Sequence, residues 1–159
     1  MTSLRFTVRH RRTVAAAGAV AAGLLVLSAC DKPTPLATVT VGTSTVTSEA
    51  ACYNDGKALT PSALKDCLTS EKDIKSIKVD PDATVRFGVD PKIADKGWTL
   101  LMNGQALTDS SKKTYRTVPG SVFFNQQYGA TGNATTVSIV EGSGTNATGL
   151  WSFKLKKDA

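Results

Sequence analysis

Apolar and polar residues alternate with a period of two along most of the chain after residue 36. This period is typical of β-strands that bury one face and expose the other. Weaker strand patterns occur at residues 45–47, 115–118 and 121–124, so we expect about nine short strands in all. The clearest alternating positions are Ala37, Val39 and Val41; Ile77 and Val79; Val85, Phe87 and Val89; Trp98, Leu100 and Met102; Val137 and Ile139; and Trp151, Phe153 and Leu155.

Helical patterns in the sequence are brief. Thr60 and Pro61 suit the N-cap and the first position of a helix. Leu64, Cys67 and Leu68 follow at spacings that place them on one helical face. A helix of this length is unstable alone, so we expect it to pack on the sheet through that face.

The remaining connections are predicted to be turns. Asp80-Pro81-Asp82 and Asn103-Gly104 have the composition of tight turns, and residues 90–97 fit a single helical turn. Many strands with one or two short helices predict an all-β fold. We expect an antiparallel β-sandwich, immunoglobulin-like in general architecture, although the cysteine and tryptophan spacing of antibody domains is absent.

The first 29 residues have the pattern of an export signal. Residues 1–13 carry four arginines and no acidic residue, and residues 14–27 are almost wholly apolar. Because a membrane-spanning helix needs roughly 20 apolar residues, a permanent anchor helix is the less favoured alternative. Arg11-Arg12 leaves the route open between general secretory and twin-arginine export.

The signal ends in a cysteine. Leu27-Ser28-Ala29-Cys30 resembles the lipobox of bacterial lipoproteins. The resemblance implies that Cys30 receives a diacylglycerol thioether and becomes the first mature residue; the alternative is a chance cysteine after an ordinary secretory signal. We therefore divide the chain into a signal peptide (1–29), a lipidated N-terminus with a short tether (30–36) and a single β-sandwich domain (37–159).

Removing the signal changes the charge of the chain. Four of the 19 Lys and Arg residues and none of the 13 Asp and Glu residues lie in residues 1–29, so the net charge falls from +6 to +2. The basic character of the whole chain is therefore no indication of nucleic-acid binding. We expect Lys154, Lys156 and Lys157 to be solvated positions on an edge strand, with contacts to anionic lipid head groups as the alternative.

Cys52 and Cys67 are the cysteines left after Cys30 is assigned to lipid. In an exported chain they are expected to form a disulfide. A zinc site is the alternative, but two thiols without histidine do not complete the usual four-ligand shell. We expect no metal and no cofactor.

The residues offer little for catalysis. The one histidine, His10, is removed with the signal, which excludes histidine-dependent triads, zinc sites and blue-copper sites from the mature chain. Ser110 or Ser111 beside Lys112 and Lys113 would place an exposed, protonated lysine as the base, which is unfavourable. Asp80 and Asp82 are explained as turn residues rather than as calcium ligands.

One uncharged segment is a candidate binding loop. Gln126, Gln127 and Tyr128 combine an aromatic ring with amide groups, a composition that suits recognition surfaces. An ordinary surface loop is the alternative interpretation.

Several segments together resemble one family. They are the lipobox, the tether at 31–35, residues 84–90, the hairpin at 97–104 and the closing residues 149–154. They are similar to an actinobacterial family of membrane-anchored lipoproteins whose domain has no assigned function. The resemblance implies a location but no active site.

From these patterns we expect a non-catalytic binding or structural module on the outer face of the cytoplasmic membrane. The expected partners are the membrane itself, through the lipid anchor, and another envelope protein, a glycan or a small ligand. Nucleic acid is not expected as a partner, and the oligomeric state stays open. The alternative is an extracytoplasmic hydrolase or transferase that uses carboxylates alone.

Overall fold

A computed structural model describes residues 33–142 and 144–158. The predicted signal peptide and Cys30 lie outside these residues. The strands are β1 (Ala37–Val41), β2 (Ser44–Ser48), β3 (Cys52–Tyr53), β4 (Lys75–Val79), β5 (Thr84–Val89), β6 (Trp98–Met102), β7 (Gln105–Ala106), β8 (Tyr115–Pro119), β9 (Ala134–Glu141) and β10 (Gly149–Lys157). The α-helices are α1 (Pro61–Thr69) and α2 (Pro91–Lys96), and short 3-10 helices span Gly120–Phe124, Gln126–Tyr128 and Gly144–Asn146.

The strands form two sheets, which confirms the prediction of an all-β fold with two short helices. The first sheet has the order β2-β1-β5-β8, and all its pairs are antiparallel. The second has the order β3-β10-β9-β6-β7, and β4 pairs with β10 on the same side as β3. Strand β10 therefore lies in the middle of the second sheet.

The two sheets share one hydrophobic core, as expected for a sandwich-like fold. Period-two alternation places Val39 and Phe87 on the inner face of the first sheet, and Ile139 and Phe153 on the inner face of the second. All four side chains are fully buried. Tryptophans 98 and 151 are also fully buried and are the largest side chains in this core.

A second, smaller apolar cluster covers the outer face of β9 and β10. Leu64 and Leu68 of α1 pack there with Val140 and Leu150, as the helical spacing predicted. Cys67 on α1 is joined to Cys52 on β3, so the predicted disulfide is present. The helix begins where predicted, with the Thr60 hydroxyl accepting a hydrogen bond from the Ala63 amide at 3.2 Å.

Two local predictions were wrong. Residues 121–124 form part of a 3-10 helix instead of a strand, because the chain turns at Gly120, whose amide donates to the Ala83 carbonyl at 2.8 Å. A Cβ at Gly120 would lie 2.5 Å from the Asp80 carbonyl oxygen, so the chain passes too close to that turn to extend a strand. The lysines of β10 are not on an edge strand, because β3 and β4 complete the pairing of β10. The parallel β4–β10 pair was not predicted either.

The sandwich has two ends that differ in composition. At one end, β1, β6 and β10 begin and β5 and β9 finish; we call it the Leu36 end, after the residue that precedes β1. At the opposite end, β1, β6 and β10 finish and the 3-10 helix Gln126–Tyr128 lies beside the β6–β7 turn; we call it the Tyr128 end. The length of β10 separates the two ends by roughly 26 Å, at a strand rise of about 3.3 Å per residue.

Candidate functional site

The segment that precedes β1 is fastened to the body of the domain. The buried indole N–H of Trp151 donates to the Pro35 carbonyl at 2.8 Å. The amide of Leu36 donates to a carboxylate oxygen of Asp90 at 2.8 Å, and the amide of Asp90 donates back to the Leu36 carbonyl at 3.0 Å. The Thr34 hydroxyl accepts from the Ala50 amide at 3.4 Å. Most of the predicted tether that the structure describes is thus part of the folded domain.

The Leu36 end exposes two large apolar side chains. Leu36 is 40% exposed and Tyr115, at the start of β8, is 65% exposed. Tyr115 pairs with Gly88 at the end of β5, and this places it at the same end as Leu36. A polar cleft of about 400 Å³ lies beside Tyr115 and is lined also by Lys113 and Arg116.

A larger cleft lies on the side of the domain near the same end. It has a volume of about 640 Å³ and opens between the β2 terminus, the segment after α1 and the Ser152 side chain. Its lining combines Leu36 and Ile74 with Lys72, Lys75 and acidic neighbours. The Ser152 hydroxyl shares a 2.9 Å hydrogen bond with Ser138, so its polar group is already paired.

The predicted binding loop lies at the opposite end of the molecule. Asn103, in the β6–β7 turn, donates its side-chain amide to the Gly129 carbonyl at 3.0 Å and holds the loop there. Asn125 accepts from the Gln127 amide at 2.9 Å and caps the short 3-10 helix. Tyr128 is 54% exposed, and Gln126 and Gln127 are also exposed. The structure therefore brings the three predicted residues together on one accessible turn.

A partly buried ion pair lies at the Leu36 end and was not singled out from the sequence. Glu141 is fully buried, and one of its oxygens accepts from the Lys96 ammonium at 2.9 Å and from the Thr148 hydroxyl. Its other oxygen, Oε2, has no hydrogen-bond partner in the structure. The signal was present in the sequence, because residues 137, 139 and 141 alternate and the glutamate falls on the inner face.

The same ion pair changes the environment of a tyrosine. Partial burial raises the pKa of the Tyr53 phenol above its ordinary value. The Glu141 carboxylate raises the pKa of Tyr53 further, and the Lys96 ammonium opposes that increase. Tyr53 packs against Trp151 with ring centroids 6.1 Å apart, so the phenol covers the edge of the core at this end.

Two other residues considered from the sequence make local hydrogen bonds in their turns. Asp80 accepts from the Asp82 amide at 2.9 Å, as a turn-forming aspartate does. Ser111 accepts from the Lys113 amide at 3.2 Å within the loop before β8. Among residues 33–142 and 144–158, no group of three or more His, Cys, Asp or Glu side chains is placed to hold a metal ion.

Within the described part of the chain, none of the helices is long and apolar enough to cross a bilayer. Comparison with protein-family models, curated proteins and solved structures finds no match for this chain.

Proposed function

We propose that this protein is a lipoprotein of the bacterial cell envelope, anchored through Cys30 to the outer face of the cytoplasmic membrane, with a non-catalytic domain that binds or organises another envelope component. The export signal and lipobox support the anchor. The observation that carries the structural part of the proposal is the separation of the two ends: the chain enters the domain at the Leu36 end, whereas the exposed Tyr128 loop is at the other.

The proposed binding surface is the turn that carries Gln126, Gln127 and Tyr128. No charged residue occurs between Arg116 and Glu141, so this part of the Tyr128 end is uncharged. The half-exposed ring of Tyr128 and the exposed amide side chains of Gln126 and Gln127 suit binding to an uncharged protein surface or a glycan. The similarity to an actinobacterial lipoprotein family is part of the same proposal.

The proposed similarity to immunoglobulin domains concerns only the way in which the two sheets pack on each other. Two sheets that are antiparallel except for the β4–β10 pair enclose one core, and this supports the immunoglobulin-like description. The order β2-β1-β5-β8 and the parallel β4–β10 pair differ from the strand order of immunoglobulin constant domains. We therefore propose a similar architecture and a different connectivity.

The carboxylate-dependent enzyme is not favoured by the geometry. That chemistry calls for two close carboxylates in a pocket, as in glycoside hydrolysis. Glu141 is the carboxylate found among the buried residues described, and it is engaged by Lys96 and Thr148.

The anchor is tested by metabolic labelling with palmitate in a bacterium that processes lipoproteins. The wild-type chain is expected to incorporate label and to sediment with membranes, because the acyl chains hold it there. Cys30→Ala is expected to lose both properties. The double variant Cys52→Ala and Cys67→Ala keeps Cys30 and is the matched control. Unlabelled wild type, or membrane-bound and normally processed Cys30→Ala, would contradict the proposal.

The binding surface is tested by photo-crosslinking in intact cells. A photoreactive residue at position 128 is expected to yield one reproducible crosslinked species, identified by mass spectrometry. The same residue at Ser76, exposed on β4 beside the middle of β10, is the control and is expected to yield none of that species. The same unselective crosslinks from both positions would refute a binding role for the loop.

A further inference from the structure

The fastening of residues 34–36 limits how far the domain can move from its point of attachment. This argument rests on the proposed lipidation of Cys30. Three residues, 31–33, lie between Cys30 and Thr34, so the span from one to the other is at most about 14 Å even when fully extended. A head-group layer is roughly 5–8 Å thick on each side of the hydrocarbon. Thr34 is therefore held close to the lipid surface.

The hydrogen bonds beyond Thr34 extend this restriction to the rest of the domain. If residues 34–36 were a free linker, the attachment would set no orientation. Instead, Trp151 holds the Pro35 carbonyl from within the core, and Asp90 makes two hydrogen bonds with Leu36. Residues 34–36 are thereby fixed to both sheets, and the point where the chain leaves the folded domain lies at the Leu36 end.

The exposed side chains at this end suit a lipid interface. Leu36 and Tyr115 offer an apolar chain and an amphipathic ring, which favours the boundary between head groups and hydrocarbon. Lys92 on α2 and Lys112 and Lys113 before β8 are exposed around them. The carbonyl of Lys113 accepts from the Trp98 indole at 2.7 Å, which places this lysine at the Leu36 end.

The charge of the Leu36 end is mixed, so the attraction of its lysines to anionic lipid is not the main reason to place this end at the membrane. Glu49 and Asp95 are exposed there as well, and they offset part of the attraction of the lysines to anionic lipid. The short segment 31–33 brings the Leu36 end to the membrane. Its two exposed apolar side chains and its lysines determine how it contacts the lipid. The Tyr128 loop itself differs, because residues 117–140 contain no charged residue, although Lys156 and Lys157 are exposed where β10 finishes at the same end.

We propose that the Leu36 end is a membrane-contact surface: Leu36 and Tyr115 enter the head-group layer, and Lys92, Lys112 and Lys113 meet lipid phosphates. The strands of the domain then run away from the bilayer, from the Leu36 end to the Tyr128 end. The Tyr128 loop is presented roughly 26 Å further out, by the strand length already given.

The test uses the full chain, processed in cells and reconstituted into vesicles of phosphatidylethanolamine and phosphatidylglycerol. Three single variants, Leu36→Cys, Tyr115→Cys and Tyr128→Cys, are labelled with an environment-sensitive fluorophore. Cys52 and Cys67 are joined to each other and do not react with the label. Relative to detergent, we expect at least a two-fold rise in emission at positions 36 and 115, quenched by nitroxide-bearing lipid head groups, and no change at 128.

The possible results distinguish the proposed orientation of the domain from the proposed lipid anchor at Cys30. Vesicle-bound, palmitate-labelled protein whose labels at 36 and 115 stay in water would overturn the orientation and leave the anchor intact. Protein that neither carries palmitate nor floats with vesicles would overturn the anchor itself. An equal rise at 128 would show a domain lying along the membrane and would also overturn the orientation.

The role of the lysines is tested in the same assay. The triple variant Lys92→Gln, Lys112→Gln and Lys113→Gln is expected to halve the emission rise at position 115, because it removes the attraction to lipid phosphate. The triple variant Lys78→Gln, Lys156→Gln and Lys157→Gln is the control, because it changes the charge equally where β10 finishes, at the Tyr128 end. An equal effect of both triple variants would overturn the assignment of the lysines.

Discussion

At the scale of single residues, the buried carboxylate of Glu141 is the clearest conflict with simple burial rules. Glu141 lies on the inner face of the sandwich, where the alternation of β9 would otherwise place an apolar side chain. A buried carboxylate is tolerated when it is paired and hydrogen-bonded. Lys96 supplies the charge from the end of α2, and the Thr148 hydroxyl supplies a further hydrogen bond.

Removing the cation is expected to destabilise the fold. Lys96→Met leaves the Glu141 carboxylate buried without its charged partner, and we expect a loss of about 1–3 kcal/mol in the free energy of unfolding. This value allows for the 39% exposure of the Lys96 side chain. Urea denaturation of both proteins measures it.

Lys78→Met is the matched control for that change. Lys78 forms an ion pair with Asp158 at 3.0 Å, but both side chains are largely exposed. Its loss should cost at most about 1 kcal/mol. Equal losses in the two variants would mean that burial of Glu141 contributes nothing to the effect.

At the scale of elements, α1 depends on its tertiary contacts. A nine-residue helix is marginal alone in water. The Thr60 cap and the first-turn proline favour its start, but the disulfide and the packing of Leu64 and Leu68 hold it against β9 and β10. The same helix covers the outer face of the sheet, where Val140 and Leu150 would otherwise be exposed to water.

Breaking the disulfide is expected to weaken this element and the domain with it. The bond joins residues 15 positions apart, and the chain-entropy model gives a loss of about 3 kcal/mol for a loop of this size. The double variant Cys52→Ala and Cys67→Ala, unfolded in denaturant, should show it. Reduction of the wild type should lower stability by a similar amount, whereas unchanged stability after verified reduction would contradict the prediction.

At the scale of the whole molecule, the important feature is the attachment of residues 34–36 to one end of a sandwich. Trp98 and Trp151 lie in the core at that end, and each donates its indole N–H to a carbonyl of a surface segment. Of the two tryptophans, Trp151 is the one that makes a hydrogen bond to the segment leading toward Cys30. The two tryptophans therefore provide a matched pair for testing the attachment.

Trp151→Phe is expected to loosen the attachment. It removes the donor to the Pro35 carbonyl, and a hydrogen bond of about 1 kcal/mol corresponds to roughly five-fold faster amide exchange at Leu36. Hydrogen exchange measured by NMR follows this amide directly. Trp98→Phe loses a comparable bond to Lys113 and should change exchange at Leu36 much less. Equal acceleration in both variants would point to general destabilisation instead.

Much of the fold could be predicted because it depends on local pattern. The alternation at Val39, Phe87 and Ile139 placed their side chains on the inner faces, and the Thr60-Pro61 start placed α1. The prediction of a strand at residues 121–124 from their composition was wrong, because the chain bends where Gly120 closely approaches the Asp80 turn. The uncharged Tyr128 loop was predicted, whereas the Lys96–Glu141 pair needed a contact between residues 45 positions apart.

The sequence by itself determined which faces of the strands are buried and where α1 begins, because these follow from periodicity and capping. It also indicated which cysteines pair, since Cys52 and Cys67 are the two left once Cys30 is proposed to carry lipid. Tertiary structure alone decided that β4 runs parallel to β10, that Glu141 meets Lys96 and that residues 34–36 are held at the end opposite Tyr128. Each of these depends on non-local hydrogen bonds, whose partners become neighbours only when both sheets have closed around the core.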